Sequence, residues 1–289
     1  MLIDRYALRL PHCELRFLDL TLFGICFLWS GNILTVVKAF QPVLGHGIFT
    51  TDGPEWEASR ALLRPNFVRN QVGDLNTFDH HISALISHIP KDGSTVDLQA
   101  LFFMLTIDNA TEFLFGTSTG VLEGGVSSDR GHKFADAFTY ATEKIGAQSR
   151  LGKLASIFPD KLFKDSVSYV HEYVQGYVQK AVNLHKDASS SIKLDEKDSL
   201  RYVFLEQLAK AGYSSKKIQD ELLNILLAGR DTTAALLSYL FYTLARRPDV
   251  FSKLRAEIMA LGKQQPTFEE IKGMKYLQYC KLIPLTSFL

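Results

Sequence analysis

At 289 residues, 46 % hydrophobic and 22 % charged, the chain carries enough apolar mass for one large domain or two smaller ones. Its net charge of +1 offers no electrostatic case for nucleic-acid binding. Cys13, Cys26 and Cys280 stand in no paired or metal-ligand spacing, which fits a reducing compartment and implies no disulfide framework.

The first candidate element is residues 17–37, FLDLTLFGICFLWSGNILTVV, apolar and free of Lys and Arg. It is about one membrane thickness long. Arg5, Arg9 and Arg16 precede it and Lys38 follows, so its N-terminal side would be cytoplasmic if it spans. Asp19 and the Gly31-Asn32 break argue against spanning. Membrane anchor, buried core and poorly structured extension all stay open here. A secretory signal is disfavoured, because no small-residue cleavage site follows cleanly.

Residues 45–53, GHGIFTTDG, predict a loop ending in a turn. Asp52 as cap and Pro54 in the first turn then open a helix over 54–64. Trp56, Arg60 and Arg64 share one face of it. That stripe is either a clamp for carboxylates or phosphates or a solvated basic face. Pro65 ends or bends the helix.

Helical apolar spacing continues near 75–87, 98–115, 133–148, 161–185 and 200–211, with Gly- and Ser-rich breaks between and no alternating strand pattern. The fold class is mainly α. His80 and His81 are adjacent on a helix and point in different directions, and no Cys or Glu completes a zinc spacing, so no metal site is expected there. No G-x-S-x-G, P-loop or dinucleotide fingerprint occurs.

The organising stretch is Ser215–Arg246, SKKIQDELLNILLAGRDTTAALLSYLFYTLAR, with Ser214 or Ser215 as its cap. As one helix it would span roughly 48 Å. It is apolar on nearly every side except at Gly229, Arg230, Asp231, Thr232 and Thr233. Gly229 fits the end of one helix, and Asp231 or Thr232 the cap of a second. Alternatively one helix continues, locally widened at Ala228-Gly229 where a flat ligand lies against it. In that case Ala228 and Thr232 sit at i and i+4 on one face of small residues. Further helices are expected at 248–261 and 268–272.

Two separated motifs agree. GIFTTDGPEWEASRALLRPNF (47–67) resembles the Trp-x-x-x-Arg helix of the cytochrome P-450 family of haem-thiolate monooxygenases. LLAGRDTTA (226–234) resembles that family's oxygen-activating helix, and ARRPDV (245–250) and MKYLQY (274–279) look like segments that follow it. The resemblance implies a partial cytochrome P-450 fold around the central helix at about 215–246. It implies a haem, with Trp56 and Arg60 on a propionate and Ala228 and Gly229 against its face. Thr232 would stabilise the bound oxygen, and Asp231 would support proton delivery. Phe49 and Thr50 fall in a substrate-facing loop. The segment resembles the fungal alkane and fatty-acid hydroxylases. That implies a long-chain, lipid-like substrate, an NADPH-dependent flavoprotein reductase as partner, and the cytoplasmic face of the endoplasmic reticulum membrane.

The chain also departs from the pattern. After Cys280 it reads KLIPLTSFL instead of a Glu-x-x-Arg helix, and Pro284 is expected to break any helix there. The Phe-x-x-Gly-x-x-x-Cys-x-Gly loop that carries the axial Cys is absent, so no metal ligand is assigned. The expected division is an aberrant extension at 1–44 with the apolar 17–37 run, a partial domain at 45–280 lacking the C-terminal part and most of the small β-sheet, and an aberrant tail at 281–289. A truncated, inactive monooxygenase is expected. The alternative is a non-catalytic helical binding or scaffold remnant without haem.

Overall fold

The computed structural model describes residues 33–67, 75–124, 128–151, 160–188, 204–262 and 265–286. Among them the regular structure is helical and no strand occurs. In chain order the helices are α1 (Ile33–Leu44), α2 (Gly53–Leu63), α3 (Leu75–Ser87), α4 (Leu98–Phe115), α5 (Ser128–Leu151), α6 (Lys161–Ala188), α7 (Phe204–Lys210), α8 (Ser215–Arg246), α9 (Pro248–Ala260), α10 (Phe268–Gly273) and α11 (Lys275–Thr286). A 3-10 turn at Arg64–Phe67 follows α2, where Pro65 stops the α pattern.

Helix α8 is continuous for 32 residues. Ser214 caps it, its hydroxyl accepting from the Lys217 amide at 3.2 Å. Ion pairs from Lys216 to Asp220 and from Lys217 to Glu221, each 2.8 Å, stitch its first turns. Its end is set by Pro248, which bars Arg247 from helical backbone and opens α9 at its own first position. The two-helix alternative fails, and so does the widened turn: α8 keeps α geometry through Ala228 and Gly229.

The core forms where α8 crosses α4 and α6. Val170, Val174 and Val178 recur every fourth residue on α6 and are fully buried, as are Ile218, Leu222 and Leu226 on α8 and Phe134 and Phe138 on α5. Each side chain of this size contributes about 1.5–3 kcal/mol by burial. Leu222→Ala would cost about 2–5 kcal/mol, because the cavity could collapse only in part. Helix α4 needs no polar face because partners surround it. Asp97 caps its start and Gly116, at φ 74, turns the chain away.

Three boundaries differ from expectation. Helix α1 lies upstream of residue 45 and ends in fully buried Val43 and Leu44, so the packed part of the chain begins before the expected domain start. Helix α5 is longer than 133–148. Pro284 does not break the last helix: α11 runs through it to Thr286. A proline removes one bond to the carbonyl four residues back, and within a final turn that loss does not end a helix. Of the apolar 17–37 run, 17–32 lie outside the described residues. Among the described residues no helix is long and apolar enough to cross a membrane.

Candidate functional site

One strip of α8 is open in the middle of the helix, between buried residues. Gly229, Thr232 and Thr233 are exposed and Ala228 is half-buried, while Leu226, Leu227 and Ala234 beside them are buried. Ala228 and Thr232 share a face, and the Thr232 hydroxyl donates to the Ala228 carbonyl at 2.6 Å. A Cβ added at Gly229 would meet only the Ala110 Cβ, at 3.9 Å. A flat group can therefore approach the backbone here.

The two charges in the same turn point inward. Arg230 and Asp231 are 3 % and 6 % exposed, and Arg230 Nη1 donates to Asp231 Oδ1 at 2.7 Å. The guanidinium also donates to the Thr139 hydroxyl on α5, and lies 4.8 Å from the Phe103 ring centre and 5.5 Å from that of Phe138. Burial raises the pKa of Asp231 above the ordinary carboxylate value, although the adjacent Arg230 pulls it the other way. The carboxyl thus holds a proton more readily than a solvated aspartate.

On α2, Asp52 caps the helix by accepting from the Gly53 amide at 2.7 Å, as the sequence predicts. Trp56 and Arg60 are exposed, with the Arg60 guanidinium 5.5 Å from the indole centre. This pair presents an N–H and a planar cation together on an open face. Among the described residues no hydrogen bond joins it to the Ala228–Thr233 strip. Helix α2 is tied to the first turn of α8 through Lys217, whose Nζ donates to Ser59 Oγ at 2.8 Å and to the His46 carbonyl at 3.0 Å.

The loop between α1 and α2 is moored on three polar residues of α8. The His46 amide donates to Asp220 Oδ2 at 2.9 Å, the Ile48 amide to Glu221 Oε2 at 3.2 Å, and the Phe49 amide to Asn224 Oδ1 at 2.9 Å. Asn224 also donates to the Leu44 carbonyl at 3.0 Å. Sequence reasoning missed this mooring; its signal was the buried-type polar set Asp220, Glu221 and Asn224 facing a Gly-x-Gly loop. Phe49 is exposed and free to meet a ligand. Thr50, expected in the substrate-facing loop, is 5 % exposed, and its hydroxyl donates to the Gly45 carbonyl at 2.6 Å and accepts from the Gly47 amide at 2.9 Å. Its polar atom closes the turn and is not available outside it.

His80 and His81 are not isolated either. Tertiary folding brings Glu123 against His80 and Glu112 against His81, partners that local spacing does not reveal.

A haem makes three demands on the protein: a flat backbone face, partners for its carboxylates, and an axial ligand. The strip at Ala228, Gly229, Thr232 and Thr233 fits the first, and Trp56 with Arg60 fits the second. The described cysteine does not fit the third. Cys280 is 1 % exposed among Leu240, Leu244, Val250 and Leu254, and burial raises its pKa away from the thiolate.

The family model for cytochrome P450 matches residues 30–280. The chain is 44 % identical over 247 residues to the cytochrome P450 monooxygenase himC of Aspergillus japonicus, an overlap of 84 % of this chain and 44 % of that protein. It is 42 % identical over 255 residues to cytochrome P450 52A12 of Debaryomyces hansenii, covering 83 % and 48 %. Against cytochrome P450 52A1 of Candida tropicalis the identity is 41 % over 252 residues, covering 82 % and 45 %. The chain spans about half the length of the curated relatives it matches. With the long helix, its open small-residue strip and the Trp56-Arg60 pair in family order, the chain belongs to the cytochrome P450 family of monooxygenases.

Proposed function

We propose that residues 30–280 serve a haem-dependent monooxygenase that inserts one atom of dioxygen into a long-chain alkane or fatty acid. Electrons would come from an NADPH-dependent flavoprotein reductase, at the cytoplasmic face of the endoplasmic reticulum membrane. The observation that carries this reading is the open strip at Ala228, Gly229, Thr232 and Thr233, set between buried Leu226, Leu227 and Ala234 of the same helix. The motif resemblance to alkane and fatty-acid hydroxylases and the similarity to cytochromes P450 52A support the substrate class.

When bound, the haem supplies the iron at which dioxygen is reduced. The chain's own residues do the following. Trp56 and Arg60 hold a carboxylate at the rim and fix the plane of the group they bind. Ala228 and Gly229 let that plane lie close to the backbone. The Thr232 hydroxyl can leave the Ala228 carbonyl and donate on the open side. The Asp231 carboxyl, whose pKa burial raises, can take up and release a proton inside the helix, and Arg230 keeps it in one orientation. Phe49 offers an exposed apolar surface on the loop beside this face. We assign Thr50 a turn-closing role.

The polypeptide of these 289 residues contains no thiolate loop, so alone it should give no thiolate-type Soret band when supplied with haem, reduced and exposed to carbon monoxide. A chimera that follows residue 280 with the C-terminal part of the Debaryomyces hansenii relative should give that band. With reductase and NADPH it should also hydroxylate a fatty acid or alkane. Thr232→Ala and Asp231→Asn should lower coupling of electron use to product. A chimera that holds haem with the thiolate band yet oxidises neither substrate would sink the substrate reading. Failure to bind haem at all would favour the scaffold alternative.

A further inference from the structure

We propose that His80, His81 and Glu123 form a zinc site that staples α3 to the turn following α4, a site separate from the haem-facing strip. The two histidines and the glutamate each offer one ligand atom, and these atoms lie within 4.8 Å of one another. His81 is 1 % exposed, and its Nε2 lies 2.5 Å from Glu112 Oε2. A carboxylate only accepts, so Nε2 carries the hydrogen and Nδ1 keeps its lone pair. That Nδ1 is buried and has no hydrogen-bond partner. A histidine held through one nitrogen by a carboxylate, with the other nitrogen left for a metal, is the usual arrangement of a metal-ligating imidazole.

The rest of the site is held in advance. Asp108, four residues before Glu112 on α4, is fully buried and organises the turn that carries Glu123. Its carboxylate accepts from Ser118 Oγ at 2.7 Å, Thr119 Oγ1 at 2.5 Å, the Val121 amide at 3.2 Å and the Leu122 amide at 3.0 Å. The Glu123 amide closes the turn onto the Gly120 carbonyl at 3.3 Å. Leu85 of α3, Leu101 and Leu105 of α4 and Leu122 of the turn share one apolar cluster, so helix and turn are already in register. His80 and Glu123 are exposed and touch each other. Ligand atoms around tetrahedral zinc at about 2.0–2.2 Å stand roughly 3.4 Å apart. Small rotations of these two exposed side chains reach that spacing while His81 stays fixed, and water completes the fourth position. Two imidazoles favour zinc over magnesium or calcium, which prefer all-oxygen sites.

The test uses the full chain, freed of metal, with zinc chloride as probe, and reads bound zinc per chain after dialysis together with the thermal melt. Because His81 is buried, its replacement can disturb folding, so the deciding variant is the exposed pair His80→Ala with Glu123→Gln. Its metal-free melting temperature should match that of the native chain. The native chain should bind one more zinc than the variant and melt several degrees higher with zinc, and neither magnesium nor calcium should shift it. An equal zinc count and equal shift in the variant, or no zinc-dependent shift in the native chain, overturns the site.

Discussion

Arg230 and Asp231, neighbours in sequence, close on each other at 2.7 Å inside the long helix while the open strip at Thr232 and Thr233 runs directly beside them. Removing one member leaves the other charge buried without a counterpart, which typically costs about 3–5 kcal/mol. Arg230→Met should therefore lower stability by that amount in urea denaturation. Replacing both residues, as Arg230→Met with Asp231→Leu, should recover most of it, because an ion pair exchanged for packed apolar groups is often neutral. If the double variant is as unstable as the single one, the pair is not what Arg230 contributes.

The pH dependence of this site has a definite sign. Burial raises the pKa of Asp231 from its ordinary 3.8. The folded state therefore keeps a proton that the unfolded chain has lost, and the stability this adds is complete below about 3.8 and disappears as pH rises through the raised value. Asp231→Asn, which does not titrate, should gain stability relative to the native chain as pH rises across that window. Asp160 runs the other way. Lys144, the Phe163 amide and Tyr140 hold its carboxyl at about 2, so its contribution is present above 3.8 and is lost as pH falls towards 2. Urea midpoints of Asp231→Asn and Asp160→Asn, taken against the native chain over a pH series, should diverge in opposite directions. A pH-independent difference for either variant rejects its assignment.

Much of this fold was legible because its boundaries are written in local chemistry. Ser214 and Pro248 bracket α8, Asp52 and Pro54 open α2, and Asp97 and Gly116 bracket α4. The Trp56-Arg60 contact and the Ala228–Thr232 bond follow from i, i+4 spacing alone. What was not legible depends on distance along the chain. Asp220, Glu221 and Asn224 read as early-turn acids and an amide, yet they bond backbone groups more than 170 positions earlier. Glu123 is 43 positions from His80, so no spacing rule could pair them. Resemblance alone places Thr50 in a substrate-facing loop; only the observed turn shows that its hydroxyl is already engaged.

Asp108 offers a third test, independent of any ligand. Its carboxylate is the acceptor for the Val121 and Leu122 amides in a site with no exposure. Asp108→Ala leaves those two donors buried and unmatched, at about 1–3 kcal/mol each. The expected result is a stability loss of a few kcal/mol and fast hydrogen exchange at Val121 and Leu122, with α8 amides protected as before. Slow exchange at both amides in a folded variant would show that the turn holds itself.

The glycines of the moored loop provide a fourth. A Cβ at Gly47 would lie 2.2 Å from Asn224 Nδ2 and 2.6 Å from its Cγ, distances at which something must move. Gly53 differs: at φ +56 it has nothing within 4 Å, so alanine there meets only backbone strain of about 1–2 kcal/mol. Gly47→Ala should cost about 1–3 kcal/mol by overpacking and should also free the Phe49 amide, because Asn224 is both the obstacle and the acceptor. Gly53→Ala should leave Phe49 protected. Combining Gly47→Ala with Asn224→Ala removes the clash along with the bond, so the two losses should add to less than their sum in a double-mutant cycle. Strict additivity, or unchanged exchange at Phe49 in Gly47→Ala, would mean that the loop is held to the central helix by something other than its contact with Asn224.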